Sequence, residues 1–222
     1  MANGKLIVLD GLDGCGKSTQ FDLLLQEVEA SGKNVHGISF PAYGTRPAAL
    51  VEMYLHGDFS TQPEGVNAYA ASSFYAVDRY ANYKLDWENQ FHEGTWILAS
   101  RYTTSNAIHQ MAKLPQEEWD AFLAWLEDYE YDKLGLPRPD LVLYLQMPLE
   151  TSLKLLQNRF KGGSKDIHEA DPEYLANCYD AAEYAADQWG WEKVPCCEDG
   201  HLRHATDIRD MLLERIHKAF SV

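Results

Sequence analysis

Short apolar runs recur along the chain, separated by stretches with helical spacing. Leu6-Ile7-Val8-Leu9 is continuous and bounded by polar or turn residues, the pattern of a strand buried on both faces. Lys17 to Ala30 follows with apolar positions at Phe21, Leu24, Leu25 and Val28, a helical period that Gly32 closes. Val35 to Phe40 reads as a second strand stopped by Pro41, and Ala48 to Leu55 as a short helix ended by Gly57. Pro63 to Phe91 reads as one long helix rich in Ala and Tyr, and Trp96 to Ala99 as a third strand. Two helices are expected between Thr104 and Leu134, the second starting near Pro115. Leu141 to Leu145 is the clearest buried strand, and Pro148 sits well at the first turn of a helix running to about Arg159. A helix over Asp171 to Trp189, a fifth strand over Glu192 to Cys196 and a last helix over Thr206 to Phe220 complete the pattern.

Strands that alternate with helices imply an α/β fold, a five-stranded parallel sheet flanked by helices on both faces. In such folds ligands bind beyond the carboxyl ends of the strands. The candidate chemistry should therefore gather there.

The segment from Gly11 to Ser18, GLDGCGKS, fits the phosphate-loop pattern G-x-x-x-x-G-K-[ST], with a strand before it and a helix after it. The architecture is then the three-layer P-loop NTPase fold. Gly11, Gly14 and Gly16 let backbone N–H groups, including that of Cys15, turn inward around phosphate oxygens. The helix that opens at Lys17 adds its positive end, next to Ser18 and Thr19. Lys17 would reach the β- and γ-phosphates of ATP, and the Ser18 hydroxyl would ligate Mg²⁺.

Charge sharpens the picture. The 222 residues carry a formal net charge of −15, which repels a nucleic-acid backbone and argues against nucleic acid as a partner. Basic clusters in so acidic a chain therefore stand out. No apolar run is long enough to cross a membrane and no signal pattern opens the chain, so no membrane association is expected. Four cysteines, of which Cys196 and Cys197 are adjacent, read as free thiols of a reducing, cytoplasmic compartment.

A phosphate loop alone suits GTPases, ATPases and small-molecule kinases. The chain lacks an Asn-Lys-x-Asp base-reading motif, and its apolar strands end in Ser100 and Gln146 rather than Asp. A kinase for a small phosphorylated acceptor needs arginines outside the loop and a basic segment that closes over ATP. Arg79 lies on the long helix and Arg101 directly after the third strand. Arg159, Lys161 and Lys165 lie in or beside a Gly-containing polar segment that reads as a mobile lid over about 159–169. The expectation is one kinase domain over residues 1–222.

The chain resembles the thymidylate kinase family over almost its whole length. The resemblance rests on Leu9 to Gln20, Phe40 to Gly44, Asp78-Arg79-Tyr80, Ser100-Arg101-Tyr102 with Ser105-Asn106, and Leu136 to Leu141, in that order and spacing. It implies a homodimeric kinase that moves the γ-phosphate of MgATP onto dTMP. It puts Tyr75 on the face of thymine, Arg79 at the base's O4, and Asn106 at the base edge. Arg101, Tyr43 and Asp13 would surround the acceptor phosphate, with Asp13, Lys17, Arg101 and the lid residue Arg159 as the catalytic set. His109 falls near the sugar, where relatives often carry an aromatic. Ser100 departs from the family's usual acid, and Ala42 stands where a charged residue is common. A kinase for another nucleotide or nucleoside, and a low-turnover nucleotide-binding regulator, remain the alternatives.

Overall fold

The computed structural model describes residues 4–159 and 171–221. The expected lid at about 159–169, including the Arg159 side chain, lies outside the described residues.

The sheet contains β1 (Leu6–Gly11), β2 (Val35–Ser39), β3 (Trp96–Ser100), β4 (Leu141–Gln146) and β5 (Glu192–Pro195), in the order β2-β3-β1-β4-β5, with every pairing parallel. Alternation decides which face each residue meets. Ile7, Leu9, Leu143 and Leu145 pack with Leu24 and Val28 of α1 (Lys17–Ala30) and with Ile208, Leu212 and Ile216 of α9 (Ala205–Phe220). Leu6 and Val8 face the opposite way, against Phe40, Trp87 and Tyr102. Tyr144 joins a third cluster with Ile108 of α5 (Thr103–His109), Phe122 of α6 (Trp119–Glu127), and Tyr174 and Cys178 of α8 (Pro172–Gln188). Both faces of the sheet are thus covered, as the unbroken apolar runs require.

The stretch expected as one helix from Pro63 to Phe91 is divided. A single 3-10 turn at Pro63–Gly65 precedes α3 (Ala68–Asn82), which starts where the Asn67 side chain accepts the Ala70 N–H at 2.9 Å. A π-helical turn at Tyr83–Trp87 then joins α3 to α4 (Glu88–His92). The extra residue of the wider turn sets Tyr83, Trp87 and Phe91 in the core, where Trp87 stacks edge-on with both rings. A second π-helical turn, Asp128–Lys133, extends α6. The helices α2 (Ala49–His56) and α7 (Leu149–Arg159) fall where the pattern places them. Asp171 caps α8 by accepting the Glu173 and Tyr174 N–H groups, with Pro172 in the first turn. A small hairpin, β6 (Cys197–Glu198) and β7 (His201–Leu202), follows β5; its two-residue strands give no readable period.

Candidate active site

In-register pairing brings the chemistry together. Leu9 of β1 lies beside Ser100 of β3, so the phosphate loop and Arg101 leave neighbouring strands at the same level. Gly11, Gly14 and Gly16 have φ of 155°, 80° and 87°. At Gly14 glycine is doubly required, because a Cβ there would lie 2.7 Å from the Ser152 carbonyl and 2.8 Å from Leu156 Cγ. Helix α7 therefore packs directly onto the loop, and Ser152 Oγ donates to the Asp13 carbonyl. Lys17 is largely buried and its Nζ donates to the carbonyls of Gly11 and Leu12 at 2.7 and 2.6 Å, with Asp13 Oδ1 at 3.9 Å. Ser18 and Thr19 are exposed at the start of α1.

Arg101 adopts φ of 67°, a left-handed conformation that costs a non-glycine residue on the order of 1 kcal/mol or more. Its N–H donates to the Leu9 carbonyl at 3.0 Å, and the Ser100 carbonyl accepts from Phe40 N–H at 3.0 Å, so β-ladder bonds hold the turn on both sides. The turn throws the guanidinium back over the loop. There Nη2 pairs with Asp13, Nη1 lies 3.0 Å from His109 Nε2, and Asp10 Oδ1 is 3.9 Å away. Burial by itself would loosen the Arg101 proton, but Asp13 and then Asp10 outweigh it and shift the group upward. His109 moves the other way. Burial is the main cause of a pKa lowered to about 4, so the imidazole is neutral at neutral pH.

Asp10 is fully buried. It lies on the β1 face that meets α5, and its carboxylate accepts from Gly11 N–H, Thr104 Oγ1 and Ser105 Oγ at 2.8, 2.6 and 2.7 Å. Three donors and a nearby guanidinium satisfy the polar atoms of this buried side chain.

Arg79 and Asn106 are both 1% exposed, against the surface position usual for such residues. Glu130, at 0% exposure, organises them. Its carboxylate accepts Arg79 Nε and Nη2 at 2.7 and 2.6 Å, Thr103 Oγ1 at 2.8 Å and Asn106 Nδ2 at 3.0 Å. Arg79 Nη1 also donates to the Tyr102 carbonyl at 3.3 Å. Burial disfavours the Arg79 charge, yet the Glu130 partner more than offsets this and raises its pKa. A guanidinium has five N–H groups, so two remain after these contacts. Neighbouring Asp78 is buried too; burial raises its pKa, and its Oδ2 accepts the Ala42 N–H at 2.9 Å, tying α3 to the segment after β2.

The loop, both arginines, Asn106 and His109 line one cavity of about 620 Å³, a volume within the range of small-molecule sites, and Asp10, Asp78 and Glu130 support it from behind. Asp13, Gly14, Gly16, Lys17, Ser18 and Thr19 of the loop line it together with Tyr75, Arg79 and Asn106, and Tyr43, Arg101 and His109 also line it. Gly11 and Cys15 lie under the loop, Cys15 buried against the β-sheet cluster. Tyr75 is partly exposed, its ring edge-on to Tyr54 at 6.3 Å. Tyr43 is 63% exposed. The sequence offered no hint of Glu130, which sits in the charge run Asp128 to Lys133 and reads as solvated surface. Asp10 carried a usable signal, an acid placed between an apolar strand and a glycine loop.

A parallel sheet in this order, with a glycine loop and lysine after β1 and arginines across the crevice, defines a P-loop phosphotransferase. Residues 9–192 match the family model for thymidylate kinase, and the chain belongs to that family. The chain is 30% identical over 190 residues to a thymidylate kinase of Mycobacterium tuberculosis, spanning 83% of this chain and 87% of that one. It is 30% identical over 151 residues to a human thymidylate kinase, spanning 68% and 65% of the two chains. A solved thymidylate kinase structure from Candida albicans superposes with a TM-score of 0.73 over 98% of this chain and 93% of that one, at 21% identity, and shares the fold.

Proposed function

We propose that the protein is a thymidylate kinase, transferring the γ-phosphate of ATP to dTMP to give dTDP and ADP. The observation that carries this reading is the continuity of the cavity. It runs from Lys17, Ser18 and Thr19 to Tyr75, Arg79 and Asn106, with Arg101 and Asp13 also in its wall. ATP phosphates on the loop and an acceptor monophosphate against Arg101 would meet head to head, which is what direct transfer between two phosphates requires.

Each residue then has a task. The loop amides and Lys17 would bind the transferring phosphate, and Lys17 would shift from the Gly11 and Leu12 carbonyls onto its oxygens. Arg101 would exchange Asp13 for the acceptor phosphate and stabilise charge as it develops. Asp13 would orient the acceptor; a phosphate oxygen needs no base to attack. Tyr43 would close over that phosphate, and Arg159, with the lid, would cover the ATP side. Tyr75 would stack on thymine. Arg79 would direct its remaining N–H groups at a carbonyl, which favours thymine O4 over the amino group of cytosine because arginine only donates. Asn106 would meet the base edge with its carbonyl oxygen, since Glu130 and the Ser72 carbonyl take its two amide N–H groups.

Among the described residues no cluster of three or more His, Cys, Asp or Glu forms a ready metal cage. That suits Mg²⁺, which takes one or two protein oxygens and completes its shell with phosphates and water. Ser18 would supply such an oxygen, and the ion when bound would neutralise phosphate charge. The exposed apolar residues Leu50, Met53, Val77 and Tyr80 on α2 and α3 fit the homodimer that the family resemblance implies. All four cysteines are free, which suits a cytoplasmic protein, and among the described residues no helix is long and apolar enough to cross a membrane.

The test is ADP release from MgATP with TMP, UMP, CMP, GMP and thymidine as acceptors. Fastest turnover on TMP is expected. Thymidine as the best acceptor would make the protein a nucleoside kinase, and tight ATP binding without turnover would make it a regulator.

A further inference from the structure

His109 makes more contacts than a pocket wall needs. It ends α5, is 6% exposed, and is fixed from three sides. Its carbonyl accepts Tyr174 Oη–H at 2.6 Å, its Nδ1 lies 3.6 Å from Cys178 Sγ, and its Nε2 lies 3.0 Å from Arg101 Nη1. Arginine only donates, so Nε2 must present its lone pair, and the ring proton must be on Nδ1, facing the Cys178 sulfur. Tyr174 and Cys178 both belong to α8, so a helix outside the cavity wall holds the His109 backbone through Tyr174 and meets the ring through Cys178.

Arg101 already has the Asp13 carboxylate in contact and Asp10 at 3.9 Å. A further carboxylate would compete with an incoming phosphate for the same guanidinium. A neutral acceptor holds the guanidinium plane without that competition. Position 100, beside Arg101, carries an uncharged serine, in keeping with the same economy of negative charge.

We propose that His109 is a positioning residue for Arg101. Its Nδ1–H tautomer, held by Cys178, anchors Nη1 while Nη2 passes from Asp13 to the acceptor phosphate. This rests on the reading of Arg101 as the acceptor-phosphate arginine.

Two experiments test it. Imidazole ¹⁵N chemical shifts of the full-length protein at pH 7 should show His109 protonated on Nδ1 and bare on Nε2; an Nε2–H ring or an imidazolium would overturn the proposal. In a kinetic cycle, His109→Phe should lower kcat/KM for the acceptor on the order of 10- to 100-fold, the scale of a misplaced catalytic group. His109→Gln, which keeps an acceptor oxygen, should recover most of that loss. In an Arg101→Ala background, His109→Phe should cost nothing further, because its effect acts through the missing guanidinium. A full, additive loss in that background, or a Gln variant as slow as Phe, would overturn the proposal. If His109→Phe fails to fold, the shifts and the Gln variant still decide. Failure of dTMP as an acceptor would overturn the proposed substrate alone, because the shifts need no acceptor and the cycle is read on whichever monophosphate turns over.

Discussion

At the scale of single residues, the site is a set of charges held in place by neighbours that satisfy them in advance. Lys17 rests on two loop carbonyls, and Arg101 on Asp13 and His109. Lys17→Met should therefore leave the fold intact and reduce turnover by at least about 10²- to 10³-fold, the scale for removing one preorganised donor; a folded variant with near-normal turnover would contradict the role of the loop. His109 gives a pH signature. Its pKa of about 4 in the folded chain lies below its ordinary 6.5, so between those values the unfolded chain binds more protons and acid withdraws stability. The groups acting on the ring are Asp13, Arg101, Asp10 and Lys17, with the Cys178 thiol against Nδ1. Urea midpoints from pH 7 to pH 4.5 should show the wild type losing more stability than His109→Gln; parallel curves would contradict the assignment. The loop residues and both arginines were legible in the sequence, because glycine spacing and isolated basic residues in an acidic chain are local signals. The burial of Arg79 was not, because it depends on Glu130, 51 positions away.

At the scale of elements, two π-helical turns decide which side chains turn inward. The first seats Trp87 in the core with Tyr83 and Phe91, and the second turns Glu130 inward onto Arg79. Periodicity predicts helices across both regions but cannot place an inserted residue, since one extra residue leaves the average spacing nearly unchanged. The same reasoning explains why the helix expected from Pro63 begins only at Ala68. Asn67 offers a side-chain cap, whereas Pro63 opens a single turn. The buried pair is the element-scale test. Glu130→Ala leaves a buried guanidinium without its carboxylate and should cost about 3–5 kcal/mol in urea unfolding. It should also weaken acceptor binding by unseating Arg79 and Asn106 together. A cost under about 1 kcal/mol, the value of a surface ion pair, would contradict the assigned burial.

At the scale of the molecule, the strand order does the assembling. Apolar runs and their alternation with helices were enough to expect a parallel sheet. Its order, and with it the adjacency of β1 and β3 that carries Asp13 to Arg101, comes from pairings between distant segments. The exposed apolar face on α2 and α3 should be buried between two copies, so sedimentation should give a dimer that Tyr80→Glu weakens; a wild-type monomer at micromolar concentration would contradict it. Whether one cavity joins the phosphate loop to a thymidylate site is decided by kcat/KM for dTMP and dCMP, measured side by side with saturating MgATP. Arg79, as proposed, would meet O4 of thymine but an amino group of cytosine, and a buried donor left unpaired is strongly rejected, so dTMP should be preferred at least about 100-fold. Equal values, or a preference for dCMP, would contradict the account.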